Sequence, residues 1–281
     1  NNSKSDLLRK LTLTGATMIV AGSMIGSGIF RKPATMAGQL LSPELLIIVW
    51  IAAGLITLVG ALINAEIAGM IDATGGQYIY FKKMYGDFTS YMYGWSVLSV
   101  IQTGSQAAIA YVFAEYLNSY LQIGGFSPGI ANFEIYMPFV GMIKPLAEFG
   151  TKSIAIFVTL FLTGVNYVGV FFGGIVQTVV TFVKIGSIFG LTVLIFLLGD
   201  GSASNFSNGF SIPAETASNI VSLFGLALAG AFWAYDGWNN VTFVSGEIKN
   251  PQRNVPLALL WGTLIVIAVY VLINMAFLYV L

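Results

Sequence analysis

Seven long apolar stretches dominate this sequence, over residues 11–30, 45–71, 91–121, 154–170, 175–198, 220–244 and 257–281. A helix needs about twenty apolar residues to cross the hydrocarbon core of a bilayer, and each stretch comes near that length or exceeds it. Residues 11–281 therefore read as one all-α integral membrane domain, preceded by a short polar segment over 1–10. The fourth and fifth stretches are separated only by the glycine turn VGVFFGG. Charged residues make up 9% of the chain, far below the roughly 25% of soluble domains. A water-soluble fold is excluded.

Composition also removes classes of function. Twelve basic and twelve acidic residues cancel, so charge gives no argument for a nucleic-acid partner. The chain has no cysteine and no histidine, which excludes thiol nucleophiles, Ser–His pairs, and thiolate or imidazole metal sites. No paired acids converge in a span, and neither an enzyme, a metal site nor a cofactor is expected.

Basic residues favour the cytoplasmic side of a membrane. With a cytoplasmic N-terminus, Lys4, Arg9, Lys10, Lys82, Lys83, Lys249 and Arg253 lie inside, and Arg31, Lys32, Lys144 and Lys152 outside. The two longest loops then face outward. The first apolar stretch reads as a span rather than a cleavable signal. A chain that opens at Asn1 and stops after a seventh span is expected to be part of a longer protein. A seven-helix receptor is a remote alternative, since it would place its N-terminus outside.

Two spans are interrupted. The first carries GSMIGSGIF over 22–30, and the sixth carries GAFWAYDGWNN over 230–240. Glycine costs a helix roughly 1 kcal/mol against alanine. Small residues can serve close helix packing, which suits Gly22, Gly26 and Gly28. Packing leaves Asp236 and the pair Asn239 and Asn240 unexplained, since polar groups at membrane depth want a wet or protein-lined cavity. The alternative is that both helices unwind near the midplane, which is tolerated where the freed backbone lines a cavity. Amides that open a half-helix attract an anion, and the bare carbonyls that end one attract a cation. A zwitterionic amino acid satisfies both. Its carboxylate is expected on the amides around Gly26, Ser27 and Gly28, and its ammonium on the carbonyls of Ala21, Gly22, Ser23, Trp233, Ala234 and Tyr235. Breaks in spans one and six, five apart, fit two inverted five-helix repeats.

These residues resemble a known family. GSMIGSGIF, with KP close behind, is similar to the opening helix of the amino acid–polyamine–organocation transporters. FWAYDGWNNVTFVSGEIKNPQRNVPLAL resembles their L-type amino acid transporter branch. AEIAGMIDATGGQYIYFKKMYGDF, LTGVNYVGVFFGGIVQTVVTFVK and YVLINMAF resemble further segments. The resemblance implies a LeuT-like fold of five plus five inverted helices, of which this sequence holds the first five and two of the second set. It also implies a carrier of L-amino acids, expected to be a sodium-independent exchanger in a prokaryotic plasma membrane. Proton-coupled uptake of amino acids or polyamines is the alternative. Animal relatives are tied to a heavy-chain glycoprotein through a cysteine after the third span; with no cysteine here, no disulfide-linked heavy chain is expected.

Individual residues carry two readings each. Lys184, deep in the fifth span, either caps the carbonyls where the first helix breaks or adds coupling there, in the place that sodium-driven relatives give to a metal ion. Asp236 either caps the resumed half of the sixth helix or faces the pocket and favours polar or cationic substrates. Trp233 is either ordinary packing or a lid over bound substrate. Tyr270 and Asn274 match a family pattern near the pocket, or else belong to the core. Glu66, Asp72, Lys82, Lys83 and Glu247 are expected at an inner gate, and Glu115 near an outer vestibule.

Overall fold

The computed structural model describes residues 9–71, 75–138, 140–168, 170–206 and 219–280. Lys4, Asp72, most of the segment 1–10 and most of the second long loop lie outside them. Contacts divide the chain into two compact units, one of Asn1–Tyr91 with Gly174–Leu281 and the other of Met92–Gly173.

Among the described residues, five helices have the length and apolar character of a membrane span: Pro43–Met70, Asp87–Leu121, Val176–Leu198, Ile220–Glu247 and Pro251–Val280. The pair Leu13–Met24 and Gly28–Leu40, bent by 42°, counts as a sixth when taken together. The fourth expected span is the helix Phe149–Val168, whose described apolar stretch, Phe149–Val165, is shorter.

In the larger unit the second helix shows how the core forms. Val49, Trp50, Ala53, Thr57, Ala61, Ala65 and Ala68 are buried, at the three- and four-residue spacing of one helical face. Leu55, Ile56, Val59 and Leu62 on the other faces are exposed, as befits a helix in an apolar solvent. Ser42 starts this helix by accepting the Leu45 N–H, with Pro43 at the first position, where its missing N–H costs nothing. Small residues let the helices close in. A side chain on Gly262 of the seventh helix would meet Val20 of the first at 2.5 Å, and one on Gly54 would meet Ile267 at 2.8 Å.

Four expectations need correction. The last two glycines of the turn expected between the fourth and fifth spans lie in the helix Val170–Leu198. The first span does not end at Phe30; after its break it continues to Leu40 with Pro33 inside. Arg31 and Lys32 therefore stand in a helix rather than in a loop. Their charge hid it, because a hydropathy reading stops where charge begins. The sixth span does not resume as an α-helix: from Trp238 to Glu247 it winds as a tighter 3-10 helix, with non-helical backbone at Val244. Finally, the chain is not wholly helical. In the smaller unit, strands Ile135–Met137 and Gly141–Ile143 pair antiparallel, with Ile135 opposite Ile143. Pro138 interrupts helix formation there, Val140 donates to the Met137 carbonyl, and Gly141 takes φ 92°, a conformation that glycine adopts at little cost. In the same unit Gln102–Leu121 packs along Phe149–Val168, and a π-turn over Val97–Ile101 precedes it.

The segment Trp238–Glu247 is tied down on its far side. Asn239 donates to Gln77 at 3.1 Å, so its amide is satisfied by protein. Leu11 and Lys249 exchange backbone bonds with this region: Leu11 N–H donates to Glu247 O at 2.9 Å and Lys249 N–H to Leu11 O at 2.8 Å. Among the residues expected at an inner gate, Lys82 pairs with Asp87 at 3.0 Å on an exposed surface, a contact of small energetic weight.

Packing predicts opposite signs for two glycines of the first span. A side chain on Gly22 would meet Thr181 Oγ1 at 2.0 Å and Gln177 Nε2 at 2.7 Å, whereas one on Gly38 meets nothing within 4 Å. Gly22→Ala is expected to cost about 1–3 kcal/mol by overpacking. Gly38→Ala is expected to gain up to about 1 kcal/mol from helix propensity. Thermal unfolding of the two variants in detergent measures both, and a stable Gly22→Ala would show that the first and fifth helices are not in close contact.

Candidate functional site

The two interruptions meet. The first helix stops at Met24 and restarts at Gly28, while the sixth stops at Tyr235, with Asp236 extended and Gly237 at φ 103°. A side chain on Gly28 would meet the Ala234 Cα and Cβ at 2.8 Å, and one on Gly237 would meet the Ser23 carbonyl oxygen at 2.7 Å. Each break is thus pressed against the other at a glycine. Gly26 differs: nothing lies within 4 Å of where its side chain would stand. Close packing accounts for Gly22 and Gly28, and leaves Gly26 unexplained.

Backbone groups at the breaks fall into two sets. Outside its helices the backbone gives the amides of Gly26, Ser27 and Gly28 no carbonyl acceptor among the described residues; the Gly26 N–H meets the Tyr270 hydroxyl oxygen instead. Ser27 instead lends its carbonyl to the N–H groups of Phe30 and Arg31. The carbonyls, by contrast, are largely engaged. Ala21 O accepts the Ile25 N–H at 2.9 Å. Lys184 donates to Ile25 O at 2.9 Å and to Gly22 O at 3.4 Å. The ammonium therefore sits at the end of the first half-helix, where the partial negative charge of the helix terminus lies. A charged hydrogen bond, worth about 1.5–3 kcal/mol, offsets an insertion cost of about 2.5 kcal/mol or more. That balance explains how a lysine is tolerated at such depth.

Tyr270 of the seventh helix joins the two interruptions. Its buried hydroxyl lies 2.9 Å from Met24 O and 3.0 Å from Ala234 O, so one O–H serves a carbonyl in the last turn of each broken half. Its ring packs on Tyr235, centroids 5.0 Å apart, and on Trp50 at 5.5 Å. Tyr235 turns its own hydroxyl away, donating to Trp50 O at 3.2 Å. Tyr270 is both a core residue and a neighbour of the breaks, which sequence reasoning had posed as alternatives. A tyrosine in an apolar helix carries no signal that would have shown this bridge.

The remaining residues separate. Asp236 is exposed and, among the described residues, its carboxylate has no hydrogen-bond or ion-pair partner. The residue that opens the next segment is Gly237, which has no side-chain cap, so the capping role does not hold. Trp233 is 46% exposed. Its ring lies beside Gly28, with Cζ3 3.4 Å from where a side chain there would stand. Asn274 is buried and donates to Tyr270 O at 2.7 Å, the bond of a polar residue to the preceding helical turn. It borders an apolar groove of about 380 Å³ with Phe30, Pro33, Phe277 and Leu278, apart from the breaks. Glu115, in the smaller unit, lines a polar pocket of about 430 Å³ with Tyr111, Asn118, Glu148 and Thr151. Among the described residues no group of three or more acids could hold a metal.

Comparison with known proteins agrees with this architecture. The family model for amino acid permeases matches residues 11–281. The chain is 32% identical over 274 residues to the human b(0,+)-type amino acid transporter 1, covering 97% of this chain and 52% of that protein. It is 30% identical over 275 residues to the serine/threonine exchanger SteT of Bacillus subtilis, covering 98% of this chain and 56% of the exchanger. It is also 30% identical over 275 residues to the human large neutral amino acids transporter small subunit 2, covering 96% of this chain and 47% of that protein. The chain thus spans about half the length of the curated relatives it matches, and these are named as transporters, not enzymes.

Two substitutions separate architecture from ligand contact. Tyr270→Phe strands two buried carbonyls and is expected to cost about 1–3 kcal/mol of stability. Gly26→Ala, with open space before it, should leave the unfolding temperature unchanged while its methyl, set in that space, weakens amino-acid binding at least about tenfold by crowding the ligand. Thermal unfolding and substrate titration of both variants test this; a destabilised Gly26→Ala would mark that glycine as structural.

Proposed function

The chain belongs to the amino acid permease family, its relatives lying in the L-type branch, and from that premise we propose that it forms part of a carrier moving L-amino acids by alternating access. The fold proposed is LeuT-like, five plus five inverted helices, with this chain supplying the first repeat and the start of the second. The N-terminus lies in the cytoplasm and the protein resides in the plasma membrane of a prokaryote. A carrier of this chain needs no disulfide-linked partner, having no cysteine to offer one.

One observation carries the proposal: two interrupted helices abut, and at the break the amides of Ser27 and Gly28 have no backbone acceptor outside their helices among the described residues, while that of Gly26 is directed at the Tyr270 hydroxyl. An α-carboxylate satisfies those of Ser27 and Gly28. Since Ala21, Gly22 and Ala234 already accept protein donors, the α-ammonium falls to the carbonyls of Ser23, Trp233 and Tyr235. Backbone capture of this kind serves every amino acid alike. Selectivity therefore rests on side chains, and Asp236, exposed and without a partner among the described residues, is the acid that stands in the break of the sixth helix. Trp233 acts as the lid. Lys184, holding Ile25 O and Gly22 O, supplies from the protein the positive charge that a metal ion would bring, so transport proceeds without sodium. Exchange, rather than net uptake, follows if reorientation is fast only when substrate occupies the site.

The test is exchange of radiolabelled L-serine, L-leucine and L-arginine by the full-length protein in liposomes. Uptake is expected to require internal amino acid, to be indifferent to sodium and not to be driven by a pH gradient alone. Sodium-dependent affinity would overturn the role given to Lys184, and accumulation into empty liposomes under a pH gradient would replace exchange with proton coupling. Asp236→Gly is expected to lower the ratio of arginine to leucine uptake several-fold. An unchanged ratio would remove Asp236 from substrate selection.

A further inference from the structure

We infer that Lys32 is a positioning residue for the Trp233 lid, its ammonium resting on the indole and holding the ring across the break. The inference rests on the proposed reading of Trp233 and adds to it what keeps the ring in place. Lys32 Nζ stands 5.0 Å from the centroid of the Trp233 ring, inside the roughly 6 Å reach of a cation–π contact, for which tryptophan is the best partner. Lys32 follows Gly28 by four residues on the restarted half-helix, so the two lie one turn apart on the same face. The ring spans that face. One edge comes close to Gly28, where a side chain would be 3.4 Å from Cζ3, and its π-system meets the ammonium.

Neighbouring residues explain why the lysine reaches the ring at all. Gly230, one turn before Trp233, leaves a channel along the sixth helix: a side chain there would lie 3.7 Å from Lys32 Cδ and 3.6 Å from Met36 Cγ. The stem of Lys32 therefore runs beside Gly230, and the half-buried side chain delivers its charge to the next turn. Trp233 is 46% exposed, so packing does not hold its ring from every side. Two of its contacts, with Gly28 and Lys32, come from the half-helix that carries the proposed carboxylate-binding amides. Swinging the ring away from the break separates the ammonium from the indole. Lys32 thus biases the lid toward its closed orientation, and a substrate held beneath it escapes more slowly.

The experiment is a double-mutant cycle in the full-length protein reconstituted in liposomes, read as half-saturation and maximal rate of exchange for L-serine, L-leucine and L-arginine. Lys32→Met keeps the stem and removes the charge. It is expected to raise half-saturation about two- to fivefold, the value of a partly exposed cation–π contact, and to change the maximal rate less. Lys32→Arg, still able to stack on the indole, should recover most of that loss. In a Trp233→Leu background Lys32→Met should have no further effect. A Trp233→Leu defect with no Lys32→Met defect, or an equal Lys32→Met defect in both backgrounds, overturns the inference alone. Unchanged half-saturation in Trp233→Leu overturns the lid reading and this inference with it. Should Lys32→Met accumulate poorly in membranes, Lys32→Gln carries the same cycle.

Discussion

A single hydroxyl holds this architecture together at its most expensive point. Breaking a helix at membrane depth leaves carbonyls without partners, each costing several kcal/mol if it faces hydrocarbon. Here two helices break, and a carbonyl from the last turn of each, Met24 O and Ala234 O, converges on Tyr270. One proton between two acceptors is a compact answer, and it makes the two interruptions interdependent. Both ends are served from the seventh helix, which stands behind the two breaks. Trp50 and Tyr235 pack against the same ring, so the second helix, too, is drawn into the arrangement.

The glycines around the breaks divide the work in a way that composition conceals. Gly28 and Gly237 are contact points, where backbone meets backbone too closely for any side chain. Gly22 does the same for the fifth helix, bringing Lys184 near enough to reach Ile25 O and Gly22 O. Gly26 has open space where a side chain would stand, while its N–H meets the Tyr270 oxygen. Several carbonyls at the breaks thus have protein donors, and the Ser27 and Gly28 amides have no backbone acceptor outside their helices among the described residues.

Membership in the amino acid permease family adds a context in which such a site makes sense, and the sequence signals for it were concentrated in few places. The long apolar runs announced the spans, and clustered glycines with an intramembrane acid announced the two breaks. Charge misled at Arg31 and Lys32, which continue a helix beyond the point where hydropathy ends it. Asp236 suggested a capping residue because aspartate often fills that role, yet Gly237 opens the next segment instead. Asn239 read as a cavity residue, and its amide is taken up by Gln77, 162 positions away along the chain.

What the sequence alone determined is local: which segments are apolar enough to cross a bilayer, and where glycine makes a helix easy to interrupt. Those properties depend on the residue and its immediate neighbours, so they survive without knowledge of the fold. Partnership is another matter. That Tyr270 serves two breaks, that Gly28 lies on Ala234, and that Lys32 rests on Trp233 are decided by which helices come side by side. Only the folded chain sets those distances, because a hydrogen bond or a cation–π contact exists within a few ångströms and is indifferent to separation along the sequence.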